Sequence, residues 1–395
     1  MIRRTPALLA LPALLAIAGC ASGQAAGDPP DDAEATPHGF VEGASEHEEP
    51  QLGLVGVDAS GAVTLLDLLA AEGEAPSEVA ELGPVDDVAS DGRFVAASTA
   101  DGVAIVDSGT WTVEHGDHSH YYRAEPHVAA TLDVAGPVRI ASTETVTVVL
   151  AEGAGEVVAL DRGDLGQGET TELGRFDADA VAAIPLGDAI VVADDEGVRL
   201  VDHAGEALGE PTACTAPTDA VTTRVGVAVA CAEGAVLATD AEAPLEAIPY
   251  PTGTDAATIA TSFDGRPGRP SVAAVAGDAG FWLLDTRERT WTLVPTTTPL
   301  AAVSAVDDAD EHVVAVATDG RVLALDAAGT ELGATEPVLA ATLGAGETPT
   351  IELDASRAYV PVSADGSVLE IDYADGARIA RTLALPATWV AEVGR

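Results

Sequence analysis

A hairpin unit that recurs eight times after residue 50 is the feature that most constrains how this chain can fold. Each unit contains an apolar strand, a tight turn of Asp, Glu and Gly, a second apolar strand and a closing aspartate. Such β-branched runs, joined by turns of this composition, are typical of β-hairpins. The closing aspartates are Asp67, Asp107, Asp161, Asp202, Asp240, Asp285, Asp326 and Asp372. The repeat predicts an all-β chain.

The spacing of these aspartates indicates how the hairpins are arranged. Successive aspartates lie 38 to 46 residues apart, with one exception. A period in the low forties, built from short strands, is typical of β-propellers, whose blades are four-stranded antiparallel sheets. We therefore predict a β-propeller domain over residues 51–395 with eight blades. Seven blades are the alternative, if the first and last hairpins share one blade to close the ring.

One interval breaks the period, because 54 residues separate Asp107 from Asp161. The excess has the length of a loop insertion, which we place at residues 111–127. The apolar hairpin residues are expected to form the core, and the turn aspartates are expected to form turns. A chemical site is therefore expected where the repeat is interrupted.

The insertion holds four of the eight histidines of the chain, namely His115, His118, His120 and His127. Neutral imidazole is a common zinc ligand, and Zn2+ favours four tetrahedral ligands. If residues 117–121 are extended, His118 and His120 point to the same side and can bind one ion. Asp117 is predicted as a further ligand, or as an acceptor that orients a histidine ring. The pattern predicts a Zn2+ site, against the alternative of a solvated polar loop with incidental histidines.

The other four histidines carry weaker signals. His38 and His47 precede the first hairpin in an acid-rich segment, where a weak contribution to metal binding stays open. His203 follows a closing aspartate in a turn, and His312 begins a hairpin strand. We expect both to be structural, and we keep His203 as an open ligand candidate.

The first fifty residues are predicted to be targeting and linker sequence. Two arginines precede an apolar run that ends at Cys20 and is shorter than the span of about 20 residues that a membrane requires. We predict a lipoprotein signal peptide over residues 1–19, lipidation of Cys20, and a flexible acidic tether over residues 20–50. An ordinary secretory signal is the alternative. The protein is thus expected to be extracytoplasmic and lipid-anchored to the cell membrane.

Two further cysteines remain if Cys20 carries a lipid. Cys214 and Cys231 would then lie in an oxidising compartment, where disulfides persist. The chain has no C-x-x-C spacing, so a thiolate zinc site is not expected. We predict a Cys214–Cys231 disulfide.

The net charge restricts the class of partner. The chain has a formal net charge of −47 at pH 7. A strongly negative field repels nucleic acids and anionic lipids and attracts cations. We therefore expect no nucleic-acid partner, and contact with the membrane through the lipid anchor only.

The segment His-Gly-Asp-His-Ser-His-Tyr-Tyr-Arg-Ala-Glu-Pro, residues 115–126, lies between the second and third hairpins of a predicted exported propeller. In this setting it resembles the zinc metallochaperones of the AztD type, which accompany bacterial zinc ABC transporters of the AztABCD kind. The resemblance covers the propeller as a whole and is specific at this segment. It implies a propeller that binds Zn2+ outside the cytoplasm and passes it to the transporter's solute-binding protein. His38 and His47 are similar to a histidine-containing N-terminus, although much sparser.

Two other functions fit a propeller. A zinc ion with an open position could activate water, as in a hydrolase or lyase, but the sequence has no G-x-S-x-G elbow and no cluster of acid and base around a Ser or Cys. An envelope scaffold lipoprotein that binds other proteins would have the same fold, because fold does not fix function. The histidine insertion favours the metallochaperone, and we expect no enzymatic activity.

Overall fold

Short strands joined by turns make up most of the chain that the computed structural model describes, residues 39–71, 73–114 and 118–395. The first strands along the chain are β1 (Ser45–His47), β2 (Gly53–Val57), β3 (Ala62–Asp67), β4 (Ser77–Glu81), β5 (Val85–Ser90), β6 (Phe94–Thr99), β7 (Gly102–Asp107), β8 (Thr110–Glu114), β9 (Ser119–Arg123), β10 (His127–Leu132), β11 (Val138–Ser142), β12 (Val146–Ala151), β13 (Glu156–Asp161), β14 (Glu172–Asp177), β15 (Ala180–Leu186), β16 (Ala189–Asp194) and β17 (Gly197–Val201). The remaining strands are β18 (Asp219–Thr222), β19 (Val227–Cys231), β20 (Gly234–Ala238), β21 (Glu246–Pro249), β22 (Ser271–Val275), β23 (Gly280–Asp285), β24 (Thr290–Pro295), β25 (Leu300–Ala305), β26 (Val313–Ala317), β27 (Val322–Leu325), β28 (Glu331–Ala334), β29 (Glu352–Leu353), β30 (Ala358–Val362), β31 (Ser367–Asp372), β32 (Arg378–Ala384) and β33 (Trp389–Val393). The all-β prediction is confirmed.

Helical structure is confined to single turns. The described residues contain α1 (Arg162–Leu165), α2 (Ala340–Gly344) and the 3-10 turns Ala256–Thr258, Gly277–Ala279 and Tyr373–Asp375. Within these same residues, no helix has the length and apolar character needed to cross a membrane.

Among the described residues, eight antiparallel sheets are each built around one predicted hairpin, and a ninth, smaller sheet has the order β1-β9-β8. In the described chain the orders are β33-β2-β3-β4, β10-β7-β6-β5, β11-β12-β13-β14, β15-β16-β17, β18-β19-β20-β21, β22-β23-β24, β25-β26-β27-β28 and β29-β30-β31-β32. Isolated bridges, Val198↔Thr212 and Asp264↔Ala273, extend the two three-stranded sheets. Four-stranded antiparallel sheets therefore predominate, as predicted. The first and last hairpins lie in different sheets.

Successive sheets follow one another around a ring. Strand β11 contacts β5 on one side and β15 on the other, β15 contacts β18, and β22 contacts β25. The last strand, β33, contacts both β29 and β5 and pairs antiparallel with β2, from Gly53↔Val393 to Val57↔Trp389. A strand from the end of the chain thus completes the first sheet, and the arrangement is propeller-like.

Packing of sheet against sheet explains why the hairpin strands are apolar along their whole length. Strands β12, β16 and β26 are buried at every residue, because a neighbouring sheet covers each of their faces. The core consists of separate clusters between sheets; one of them holds Phe94, Ile105 and Leu160, all fully buried. A sheet with one solvated face would instead alternate apolar and polar residues.

The predicted disulfide is present. Cys214 and Cys231 are joined, both are buried, and they lie 17 residues apart. Cys231 is the last residue of β19, an inner strand of the sheet β18-β19-β20-β21. The disulfide therefore joins the segment that precedes β18 to this inner strand.

We expect the Cys214–Cys231 bond to stabilise the folded protein by about 3 kcal/mol, because it closes a short loop and thereby restricts the unfolded chain. Replacing both cysteines by alanine should lower the free energy of unfolding by about this amount, measured by denaturant titration. In a Cys20→Ser background, thiol labelling of unreduced, denatured protein should find no free cysteine. Two labelled cysteines per chain would contradict the prediction.

A buried carboxyl group lies where the ring closes. Glu392 on β33 is fully buried, and its Oε2 accepts a hydrogen bond from Arg395 Nη1 at 3.2 Å, while its Oε1 has no hydrogen-bond partner among the described residues. Burial raises the pKa of Glu392 to about 8, although Arg395 acts in the opposite direction. Burial, with the nearby charge of Glu352, also raises the pKa of Asp264 to about 8.

The raised pKa of Glu392 makes stability depend on pH. Between its usual pKa of 4.5 and about 8, the folded chain holds a proton that the unfolded chain has released. This contribution to stability is complete below pH 4.5 and is lost as the pH rises through 8, by at most about 1.4 kcal/mol per pH unit. Glu392→Gln, which imitates the neutral carboxyl, should flatten the decline of unfolding free energy between pH 5 and 8.

The control for this measurement is Asp188→Asn, which removes an exposed acid from a turn. It should leave the slope of unfolding free energy against pH as it is in the parent protein. Equal slopes for the parent and Glu392→Gln would show that Glu392 is ionised in the folded state.

Candidate metal centre

The histidine insertion forms a hairpin outside the repeat. In the sequence, β8 and β9 come between β7 and β10, and they pair with each other. Strands β7 and β10 are themselves neighbours in another sheet. The long interval of the sequence is therefore an extra hairpin placed on the connection to the outer strand of that sheet. The tip of the hairpin, with the predicted ligands His115 and Asp117, lies outside the described residues.

The last part of the predicted tether is folded against this hairpin. Strand β1 pairs antiparallel with β9, so that Ser45 faces Arg123 and His47 faces Tyr121. The prediction of a flexible tether over residues 20–50 is thus wrong for its final segment, because β9 offers an open edge that this segment occupies. The segment up to residue 38, with His38 and the predicted lipidation site Cys20, lies outside the described residues, and so does the signal peptide predicted over 1–19.

A small apolar cluster fixes the segment that leads into β1. Val41 is buried together with Trp111 and Tyr122, and the Trp111 indole N–H donates to the carbonyl of Gly39 at 3.0 Å. The ring of Phe40 contacts that of Tyr122 edge-on, with 6.4 Å between centroids. The segment is held by side chains as well as by backbone pairing.

A stack of planar groups connects the ring of sheets to the insertion. The buried Arg93 makes a bidentate ion pair with the buried Asp107, with Nη2 and Oδ2 2.7 Å apart, and its guanidinium lies 3.8 Å from the centroid of Trp111. Trp111 stacks on Tyr122 at 5.3 Å, and Tyr122 on His120 at 6.2 Å. Trp111 and Tyr122 are opposite each other in the β8–β9 register, and His120 is two residues from Tyr122 on the same face.

His118 and His120 are brought together at the start of β9. Both side chains point to the same side of the extended chain, and their Nε2 atoms lie 3.2 Å apart, within hydrogen-bond distance of each other. Two nitrogens bound to one tetrahedral Zn2+ at about 2.0–2.1 Å would be separated by about 3.3 Å. The two imidazoles therefore already have the spacing of neighbouring zinc ligands.

Glu46 orients the second of these imidazoles. Its Oε1 lies 2.6 Å from His120 Nδ1, across the β1–β9 pairing. A carboxylate accepts hydrogen bonds, so the ring proton belongs on Nδ1 and the lone pair of Nε2 faces His118. A carboxylate on the far nitrogen of a histidine is the usual support of a metal-binding imidazole.

The stack shields one face of the His120 ring from solvent. Tyr122 is fully buried, whereas His118 is exposed. Burial, followed by the negative charge of Glu46, raises the pKa of the Tyr122 hydroxyl, which keeps the ring neutral. Tyr122 thus covers one face of His120, whereas His118 lies on the solvent-exposed side of the pair.

The remaining predicted histidines lie elsewhere. His127 begins β10, opposite Asp107, and its Nδ1 lies 3.2 Å from the carbonyl oxygen of Glu125; no described contact joins it to the imidazole pair. His47 is on the opposite face of the small sheet, with its Nε2 2.9 Å from Ser45 Oγ. His203 follows β17 in a turn.

His312 has a structural environment. Its Nδ1 lies 2.7 Å from Asp308 Oδ2, and its ring contacts Tyr373. Among the described residues, no group of three or more His, Cys, Asp or Glu side chains is placed to hold a metal ion. The described part of the centre is therefore the pair His118 and His120 with its supporting carboxylate.

Sequence reasoning missed Glu46 as a part of this centre. It lies in an acid-rich stretch with no apolar period, and 74 residues separate it from His120. The alternation of Glu46 with His47 in a three-residue strand is too short to predict a partner strand. The only available signal was the proximity of acids to His47 in the sequence.

Solved structures with the same fold include two of AztD from Citrobacter koseri. The chain matches the crystal structure of that protein with a TM-score of 0.70 at 17% identity, over 87% of this chain and 97% of that one. It matches the apo structure with a TM-score of 0.71 at 16% identity, over 88% and 98%. Sqt1 from Chaetomium thermophilum is less similar, with a TM-score of 0.50 at 14% identity, over 78% and 88%. No family model and no curated protein matches the sequence.

Proposed function

We propose that this protein is an extracytoplasmic metallochaperone that binds Zn2+ in the insertion and delivers it to the solute-binding protein of a zinc ABC transporter. The observation that carries the proposal is the spacing of 3.2 Å between His118 Nε2 and His120 Nε2, with Glu46 on the far nitrogen of His120. His115 and Asp117, which lie between β8 and β9 in the sequence, would complete a tetrahedral set, with His127 as a further candidate.

Two independent resemblances support this role. The histidine segment resembles AztD-type zinc metallochaperones in sequence, and the chain shares the fold of the C. koseri AztD structures over almost their whole length. At 17% identity the structural match concerns the fold. The ligand pattern in the insertion adds the chemistry that the fold leaves open.

The position of the site indicates that Zn2+ is bound here as transported cargo and not as an ion that the fold requires. The β8–β9 hairpin lies outside the repeat, so the clusters between sheets form without the ion. Structural zinc is commonly bound by several cysteines, whereas Cys214 and Cys231 are joined to each other. Histidine ligands on an exposed hairpin can be replaced one at a time by those of an acceptor. This arrangement also favours delivery over hydrolysis, the alternative zinc-dependent activity.

The N-terminal sequence would place the protein beside its acceptor. After cleavage of the predicted signal peptide, a lipid on Cys20 would hold the chain at the membrane, and residues 21–38 would act as the tether. We further propose that the eight sheets are the eight blades of one propeller, closed by the pairing of β33 with β2. A transporter-bound acceptor on the same membrane would then be within reach.

We expect His118→Ala/His120→Ala to lose tight Zn2+ binding, because the variant removes both imidazoles of the pair. Metal analysis of protein purified without chelators should find about one Zn2+ per parent chain and almost none in the variant. Circular dichroism should remain rich in β-structure in both proteins, because the hairpin is outside the core.

The matched control is His47→Ala, which removes an imidazole from the opposite face of the same small sheet. It should retain the zinc content of the parent. Unchanged zinc in His118→Ala/His120→Ala would place the site elsewhere in the chain.

We expect zinc to pass directly to the acceptor. Zinc-loaded protein is mixed with the apo form of a zinc-transporter solute-binding protein and a competing chelator. Direct transfer requires the acceptor to fill faster than zinc is released to the chelator alone. Filling no faster than this dissociation would reject the metallochaperone and favour storage or an enzymatic role.

A further inference from the structure

The strand that carries Glu46 is the least embedded part of the metal centre. Strand β1 has three residues, all of them exposed, and lies at the end of the sheet order β1-β9-β8. Its backbone pairs only with β9 in the described chain. The carboxylate that supports His120 therefore depends on a short edge strand and on the small cluster around Val41.

Strand β9 carries His120 and begins directly after His118. Its two edges are occupied differently: β8 is joined to it through the hairpin, whereas β1 reaches it from a point more than 70 residues earlier in the chain. Separation of β1 would remove Glu46 from His120 Nδ1. It would also expose the backbone N–H and C=O groups on the edge of β9 that faces β1, beside the two imidazoles.

We propose that β1 is a removable clamp on the metal site, and that an extended segment of the zinc acceptor replaces it at the edge of β9. This inference rests on the proposed function and adds how the cargo is released. With β1 paired, Glu46 holds His120 in the metal-binding orientation. With β1 displaced, that support is lost and the affinity for Zn2+ falls, while the acceptor segment is held next to the ion.

Three features of the molecule support strand replacement as the mode of docking. An exposed edge strand is a template for another chain, and addition of an extended peptide to a sheet edge is a common mode of recognition. The pairing uses backbone groups, so it does not require an apolar patch or a charge opposite to the −47 of the chain. Strand β1 belongs to none of the eight larger sheets, so it can leave without unfolding any of them.

The hairpin itself is fixed to the domain and would remain in place when β1 leaves. Arg123 Nη1 lies 2.6 Å from Asp67 Oδ2, at the end of β3, and Thr112 Oγ1 donates to the carbonyl of Gly394 at 2.9 Å. The buried Arg93–Asp107 pair beneath Trp111 adds a third attachment. The moving part is therefore β1 and the fixed part is β8–β9.

The first test concerns Glu46 as a positioning residue. Glu46→Gln removes the carboxylate but keeps the size of the side chain, and it should weaken Zn2+ binding about 10- to 100-fold, the usual effect of losing the partner of a metal-bound histidine. Glu48→Gln, just beyond β1, makes the same charge change and should bind as the parent does. Hydrogen exchange of the β9 amides that bond to β1 should show that β1 stays paired in both variants.

The second test locks the clamp. His47 and Tyr121 face each other across the β1–β9 pairing, so His47→Cys/Tyr121→Cys should form a disulfide between the two strands. The locked protein should bind Zn2+ with the affinity of the parent, but its transfer to the acceptor should fall to the rate of passive dissociation. Each single cysteine variant, which cannot form the bond, should transfer as the parent does.

The outcomes separate this inference from the proposed function. Direct transfer by the parent and equally fast transfer by the locked protein would overturn the clamp and leave the metallochaperone intact. Absence of direct transfer in the parent would reject the proposed function itself. Parent-like zinc affinity in Glu46→Gln would overturn the positioning role of Glu46.

Discussion

The antiparallel pairing of β33 with β2 is the interaction on which the rest of the fold depends. The other sheets are built mainly from strands close together in the chain, whereas this pairing joins residues 53–57 to residues 389–393. Without it, β2 would present an open edge, and the contacts of β33 with β29 and β5 would be lost. Because the strands are apolar on both faces, each sheet needs its neighbours for burial, and closure removes the last uncovered faces.

The candidate metal centre is attached to this ring without being part of it. The buried Arg93–Asp107 ion pair fixes a guanidinium beneath Trp111. Trp111 stacks on Tyr122 and Tyr122 on His120, so these contacts also fix the position of the His120 ring. Breaking such a pair would leave a buried charge without a partner, so it holds its geometry firmly. The histidines are thereby presented on a rigid support, while the strand that orients one of them is a short, exposed strand at the edge of its sheet. Rigid ligands with a detachable support suit an ion that must be both held and released.

The sequence predicted the elements whose causes are local. Turn residues and β-branched runs predicted each hairpin, and the interrupted period located the insertion. The pair Cys214 and Cys231 was also predicted correctly, because the short loop between them and the predicted export of the chain needed no tertiary information. The prediction was wrong at the end of the tether, where Ser45–His47 is a strand. Backbone pairing of three residues needs no particular side chains. The composition of this segment therefore did not indicate a strand.

The sequence by itself determined the repeat, the all-β character and the alternation that sets His118 and His120 on one side of an extended chain. These follow from steric preferences of neighbouring residues and from the two-residue period of a strand. Only the tertiary structure decided that β33 completes the first sheet and that Glu46 reaches His120 Nδ1. Both contacts join distant parts of the chain: β33 and β2 through backbone hydrogen bonds, and Glu46 and His120 through a side-chain hydrogen bond that the pairing of β1 with β9 brings into reach. The free energy of such contacts depends on which edges remain open after the local elements have formed, and a linear pattern of residues does not contain that information.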